Sequence, residues 1–371
     1  RNPWLAEHMW EPRDPAKNQP ASILSPIANL PDGPGGLVHY PGTGLPEKYN
    51  GCFFLACYKG NTATSQVAVF KPVPDGAGFK LEMLETFIPG CQATDVDFGP
   101  DSRMYVSFWD EGWERTAQGR IMKVAHEEAR KAQAGQIAEV QKLLGEGMKQ
   151  RSPEELVKLL GHKDQRVRLE AEWELASKGV NKEKEAVTAE LTKIMQESGN
   201  KLQRLHAIWA FGQILRTLET RQLQNTGGLE AFSQKPSPFQ LVDLHADPDE
   251  EVRCAWLRVV ADQPSYFGED KVRHMIELLN GSSARVRLAA ALALGKKGDS
   301  DALGALIRIA RDGQQLSQEM TCVVSGSLAR ILVNHQDPIG TLQFAGTNPD
   351  LRIPIPPNSG VSPPLPTVRD Q

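Results

Sequence analysis

The chain has few cysteines, five in 371 residues, and none of them forms a CxxC pair or the CxxCH run that covalent haem attachment requires. Cys52 and Cys57 stand five apart on one strand pattern and point to opposite faces, which argues against a mutual disulfide. The five read as buried free thiols. No apolar run approaches the roughly 18 residues that cross a bilayer. Charge of one sign is also missing: 42 Lys and Arg face 46 Asp and Glu, for a net charge of −4. The basic residues are dispersed among acids, as on a solvated helical surface, and nothing suggests a nucleic-acid binder. There is no G-x-S-x-G elbow, P-loop, H-E-x-x-H or dinucleotide fingerprint. The sequence opens on Arg1 without a signal-peptide pattern, so its residues do not name a compartment.

What is present falls into two architectures, with a length that suits two or three domains. In the first part, short β-rich runs alternate with turn signals. Gly36 to Tyr40, Cys52 to Tyr58, Gln66 to Val73 and Phe79 to Phe87 give four strand candidates. Pro41-Gly42-Thr43-Gly44, Lys59-Gly60-Asn61 and Pro74-Asp75-Gly76 separate them. Thr94 to Phe98, Met104 to Trp109 and Gly119 to Val124 give three more, before charged helical sequence begins at His126. This spacing predicts about two blades of a β-propeller over residues 1–125, the second with three strands and an unpaired outer edge. Two blades cannot close a ring, so the expectation is the C-terminal part of a longer propeller.

Over residues 126–337 the apolar spacing turns helical and a repeat emerges. Asp164, Asn200, Asp249 and Ser283 are each followed four residues later by Arg168, Arg204, Arg253 and Arg287. Three residues after the cap stand Val167, Gln203, Val252 and Val286. Seven after it stand Ala171, Ala207, Trp256 and Ala290, and eleven after it Leu175, Phe211, Val260 and Leu294. Asp, Asn and Ser cap helices through side-chain oxygens, and positions three, seven and eleven share one face. The caps lie 36, 49 and 34 residues apart, a period that suits two-helix solenoid units, with an insertion near Asn225 to Pro238. The pattern resembles HEAT repeats, with bulky Trp256 where a small residue is usual. The arginines are expected to form a largely exposed ladder that contacts acids or helix-end carbonyls, above a stripe that includes a buried Leu288. Residues 338–371 carry eight prolines and read as an extended tail.

Several motifs together resemble one family. They are Asn2-Pro3-Trp4, Asp32-Gly33-Pro34-Gly35-Gly36-Leu37, Tyr40 to Pro46, Thr94 to Asp101 and Gly119-Arg120-Ile121. They are similar to the sorbosone/glucose-dehydrogenase-like propellers of the large membrane-bound dehydrogenases of planctomycetes and their relatives. The resemblance implies a propeller, then HEAT repeats, then a CxxCH haem domain that has no counterpart here. It further implies a periplasmic or secreted sugar or polyol dehydrogenase using pyrroloquinoline quinone and calcium, with electrons passed to haem outside this chain. The rival expectation is a non-catalytic scaffold that holds a protein or polysaccharide on the solenoid.

Asp95 and Asp97 alternate on one strand, so both carboxylates leave the same face, which suits a calcium or quinone contact. Their other reading is hydrogen bonding to loop backbone. Asp32 is a further cofactor-binding candidate beside its reading as a turn aspartate. Trp109 and Trp113 are read as aromatic packing or a substrate mouth, and His39 as a structural histidine. His162, His206, His245 and His274 are read as ordinary residues, too far apart in sequence for a metal cluster.

Overall fold

In a computed structural model, the structure describes residues 27, 28, 30–109, 118–181, 183–226, 242–263, 269–298, 300–311 and 316–334. Among these residues, seven strands precede the long run of helices. A four-stranded antiparallel sheet has the order β1 (Pro34–His39), β2 (Phe53–Cys57), β3 (Gln66–Asp75) and β4 (Gly78–Pro89). A three-stranded antiparallel sheet follows, β5 (Ala93–Phe98), β6 (Met104–Trp109) and β7 (Gly119–Val124). Among the described residues the sheets close into neither a barrel nor a ring. The expected strands are present within two residues at each end, and β3 runs on through Pro74 and Asp75, which carry a turn signal. Its pairing with β2 ends at Phe70, so Pro72 and Pro74 lie where no β2 neighbour needs their missing N–H. Strand β7 is an open edge, with Ile121 73% exposed.

The two sheets meet through β1 and β5, and glycine sets the approach. A Cβ on Gly35 would stand 2.4 Å from the Thr94 carbonyl oxygen, and one on Gly36 would stand 1.6 Å from Asp95 Oδ1. Only residues without a side chain fit this contact. Beside it, Phe54 of β2 packs edge-on against Phe98 of β5 and Phe87 of β4, and Tyr40 packs against Phe98. These rings anchor a core that joins both sheets.

Helices follow among the described residues. They are α1 (Glu127–Ala132), α2 (Ala134–Glu146), α3 (Pro153–Leu159), α4 (Gln165–Gly179), α5 (Lys184–Glu197) and α6 (Lys201–Thr226). Then come α7 (Glu250–Asp262), α8 (Glu269–Leu279), α9 (Ala284–Lys297), α10 (Ser300–Arg311) and α11 (Gln318–Asn334). Each anticipated cap works. Asp164 accepts from Arg166 N, Asn200 from Gln203 N, Asp249 from Glu251 N and Ser283 from Val286 N. A fifth cap, Ser317, accepts from Met320 N and opens α11 in the same register. The capped helices α4, α6, α7, α9 and α11 stack side by side. Their residues seven and eleven after each cap are buried throughout, ending with Val324 and Leu328. One continuous apolar core results.

The arginine four after the cap turns inward toward the preceding turn. Arg168 donates to the His162 and Lys163 carbonyls, Arg204 to Met195 O, Arg253 to Asp247 O and Arg287 to Leu279 O. Arg168 is buried, not exposed as expected, because His206 closes over its Nε at 3.0 Å. Leu288 is only half-buried, since it lies five after its cap and off the inner stripe. Trp256 fits by donating its indole N–H to the Val242 carbonyl at 2.8 Å, which ties down the chain entering α7.

A buried polar seam joins sheets to helices. Asp164 is fully buried, and its carboxylate accepts from Thr43 Oγ1 at 2.5 Å and from Arg166 Nη2 at 2.6 Å. Arg166 also donates to Ser102 Oγ and to the Gly99 carbonyl. Gln133 accepts from Gly44 N and donates to Leu45 O, Gln165 N donates to Pro41 O, and Arg130 donates to Asp101 O. At the far end of the helical layer, the Arg285 guanidinium lies 5.3 Å from the Phe79 ring centre, and Gly78 backs onto Glu319. The residues beyond 334, including the proline-rich tail, and the motif Asn2-Pro3-Trp4 lie outside the described residues, as does Trp113.

Removing one partner of a buried pair leaves an uncompensated charge. Arg166→Ala should therefore lower the unfolding free energy of the full chain by roughly 3–5 kcal/mol in urea denaturation. Arg166→Ala with Asp164→Asn should lose distinctly less. A loss from the single variant no larger than a surface substitution would mean the seam does not hold the halves together.

Candidate functional site

The residues singled out in the sheets do not converge. Asp95 and Asp97 are both exposed on β5, and each accepts from the next backbone amide, Val96 N at 2.8 Å and Phe98 N at 2.7 Å. These bonds stay within β5 and do not reach a loop. Asp32 is exposed and pairs with Lys59 Nζ at 3.0 Å. Calcium takes six to eight oxygens, and among the described residues no third acidic, histidine or cysteine ligand joins these carboxylates. Among these residues the Asp95 and Asp97 carboxylates fall short of the ligands that calcium takes. His39 Nδ1 donates to Gln165 Oε1 at 2.6 Å and the ring packs on Phe53, and its burial lowers its pKa. It is a structural histidine at the seam. The Trp109 indole N–H is buried without an acceptor among the described residues. All five cysteines are free and buried, and burial pushes the thiols of Cys52, Cys57, Cys91 and Cys254 up.

The helical layer offers a more organised surface. Nine residues after successive caps stand Trp173, Trp209, Arg258 and Leu292, one on each of α4, α6, α7 and α9. All four are exposed, and the two tryptophans and Leu292 are 52%, 37% and 40% accessible. Equivalent positions on stacked helices make a row. The residues two after the cap are Arg166, Arg285 and Glu319 among others, and these meet the sheets. Seven residues on a helix nearly complete two turns, so the cap-plus-nine row shares that face about 10 Å farther along. The sheets meet this face at α4, α9 and α11 and leave the row open, as they leave Leu202 of α6. Beside the row, Asp262 pairs with Arg216 at 3.6 Å and with Lys296, linking α6, α7 and α9.

Under Trp209 lies a buried polar chain. His206 Nδ1 is 2.5 Å from Glu172 Oε2, Gln213 Nε2 donates to Glu172 Oε1, and Arg168 Nε donates to His206 Nε2. Guanidinium N–H groups only donate. His206 Nε2 must therefore accept, and its proton sits on Nδ1 facing Glu172. The His206 ring lies edge-on to Trp209, with centroids 4.9 Å apart, and orients the exposed indole. Burial lowers the pKa of the Arg168 guanidinium, against the opposing pull of Asp164.

The structure corrects the reading of the histidines as scattered. His245 and His274 stack face to face, with centroids 3.7 Å apart and planes within 14°. Asp243 reaches both, Oδ1 to His245 Nδ1 at 2.8 Å and Oδ2 to His274 Nδ1 at 2.9 Å, and Lys271 Nζ lies 2.8 Å from Oδ2. Sequence reasoning missed this group because 29 residues separate the two histidines. The Asp-x-His run at Asp243 was its only local signal. Burial would raise the Asp243 pKa, but hydrogen bonds from Lys271 and His245 outweigh it and hold the carboxyl at about 2.

Residues 240–318 match the family model for HEAT repeats. The matched stretch contains two of the anticipated caps, Asp249 and Ser283, with the fifth cap Ser317 near its end. No curated protein is significantly similar to the chain.

A carboxyl group with a lowered pKa in the folded state stabilises it above the unfolded-state value and loses that contribution as pH falls through the folded-state value. For Asp243 the window runs from its ordinary 3.8 down to about 2. Urea midpoints measured from pH 5 to pH 2 should fall less steeply in Asp243→Asn than in the unaltered chain. Parallel slopes would show that Lys271 and His245 do not hold this carboxylate.

Proposed function

We propose that this chain is a binding scaffold whose helical layer holds a partner protein along the row Trp173, Trp209, Arg258 and Leu292. The observation that carries the reading is the recurrence of large side chains, three of them apolar, at the same exposed repeat position, on a face the sheets leave partly open. Trp and Arg dominate binding energy where interfaces desolvate them. The buried Arg168–His206–Glu172–Gln213 chain supports this by fixing Trp209 in advance, which reduces the ordering cost of binding. HEAT-repeat solenoids present extended surfaces of this kind. The ion pairs among Arg216, Asp262 and Lys296 form a polar rim along one side. No helix among the described residues is long and apolar enough to cross a membrane.

A second reading keeps the dehydrogenase. Here the two sheets are adjacent propeller blades, joined inner strand to inner strand by Gly35 and Gly36, with β7 as the edge of an incomplete ring. The glycine contact between β1 and β5 favours it. On this reading a sugar or polyol, pyrroloquinoline quinone and calcium would bind where several blades meet, in a periplasmic or secreted protein, and Asp95 and Asp97 would need partners from further blades. Fold resemblance alone does not establish that chemistry.

Peptide-display selection against the full chain separates the two. Binders recovered on the unaltered protein should lose at least about tenfold in affinity on Trp173→Ala with Trp209→Ala, a loss near 1.4 kcal/mol. Helix content should be unchanged, since both side chains are exposed. Binders indifferent to both substitutions, or none at all, would overturn the scaffold reading. Dye reduction with a sugar, quinone and calcium would then favour the second.

A further inference from the structure

We propose that Asp243, His245 and His274 form a binding site for one divalent transition-metal ion of the zinc class. The donor set is the first argument. Two imidazoles and one carboxylate are the ligands that such an ion takes in three-ligand sites, leaving a fourth position for water. Geometry is the second. One ligand atom from each residue lies within 4.8 Å of the other two. Two ligands of a tetrahedral ion at about 2.0–2.1 Å from the metal stand about 3.3 Å apart. The two nitrogen–oxygen separations here, 2.8 and 2.9 Å, need only a few tenths of an ångström of opening.

The third argument is an unsatisfied atom. His274 Nδ1 is buried and makes no hydrogen bond among the described residues, although Asp243 Oδ2 is 2.9 Å away. A buried ring nitrogen beside a carboxylate but out of hydrogen-bond alignment is an uncommon arrangement. A metal ion satisfies its lone pair and the facing carboxylate together. The stacking of the two rings already brings both Nδ1 atoms to one carboxylate, and the rings must tilt apart for their in-plane lone pairs to converge on the ion.

Position gives the site a role. His245 and Asp243 lie on the segment that enters α7, and His274 lies on α8. The ion would clip that segment to α8 where the repeat spacing is longest, next to the tie between Trp256 and Val242. Access is available, since Asp243 is exposed and His245 also lines an open groove of about 220 Å³ with Arg253, Leu278 and Ser283. Lys271 is the competitor. Its ammonium occupies Asp243 Oδ2 and lies 5.7 Å from the Trp256 ring centre, and it must swing away when the ion enters.

The test is titration of the chelator-stripped full chain with Zn²⁺ and with Co²⁺, read by calorimetry and by the visible bands that Co²⁺ gives in a tetrahedral site. One equivalent should bind, with tetrahedral Co²⁺ bands and a higher melting temperature. His245→Ala and His274→Ala should each weaken binding at least about tenfold, since loss of a ligand costs more than loss of an outer-shell partner. His126→Ala, which alters only the exposed cap of α1, should change nothing. Lys271→Met should tighten binding by removing the competing cation. No stoichiometric binding by the unaltered chain, octahedral Co²⁺ bands alone, or affinity kept in His245→Ala with His274→Ala would overturn the site. Weaker binding in Lys271→Met would do the same.

Discussion

A single buried carboxylate sets the terms for the rest of the molecule. Asp164 caps α4 and is wholly removed from water, so its charge must be met by protein donors. Arg166 supplies three of them, its backbone N–H and two guanidinium N–H groups, and Thr43 brings a fourth from the turn after β1. Because the same guanidinium also reaches the β5–β6 turn at Gly99 and Ser102, helix start and sheet turns share one charge balance. Neither half can shift without exposing an unpaired ion to a dry environment. The repeat motif that would only cap a helix elsewhere here fixes how two architectures join.

Much of this order was legible in the sequence because local rules and tertiary packing agree. Strand limits followed from turn residues, and four caps were readable because each precedes an apolar stripe of the right period. The fifth cap, Ser317, is not legible from the repeat because Thr321 stands where the other repeats carry arginine. The inward path of Arg168 was not legible either, since it depends on His206, 38 residues away and on another helix. Candidate chemistry was least readable. Asp95 and Asp97 share a face as alternation requires, yet a shared face does not supply the further ligands a cation needs. The three residues that do come together were invisible for the opposite reason, since stacking of separate helices creates their proximity.

The exposed row and the buried polar chain beneath it belong to one device. Trp209 is held edge-on by His206, whose tautomer is fixed by Arg168 on one side and Glu172 on the other. A surface side chain normally keeps its rotamer freedom, which binding must then remove. Here the interior has already removed part of it.

Solenoids assembled from stacked repeats behave elastically, because each unit contacts only its neighbours and small rotations accumulate along the stack. This one is bridged. The sheets grip the start of α4 through Arg166, and the end of the β3–β4 hairpin rests on α9 and α11 at Arg285 and Glu319. A brace fastened at two separated points turns an open spring into a strutted arch. Bending that opens or closes the helical layer must slide Phe79 off Arg285 or strain the Asp164 seam, so the curvature of the layer is set by the sheets.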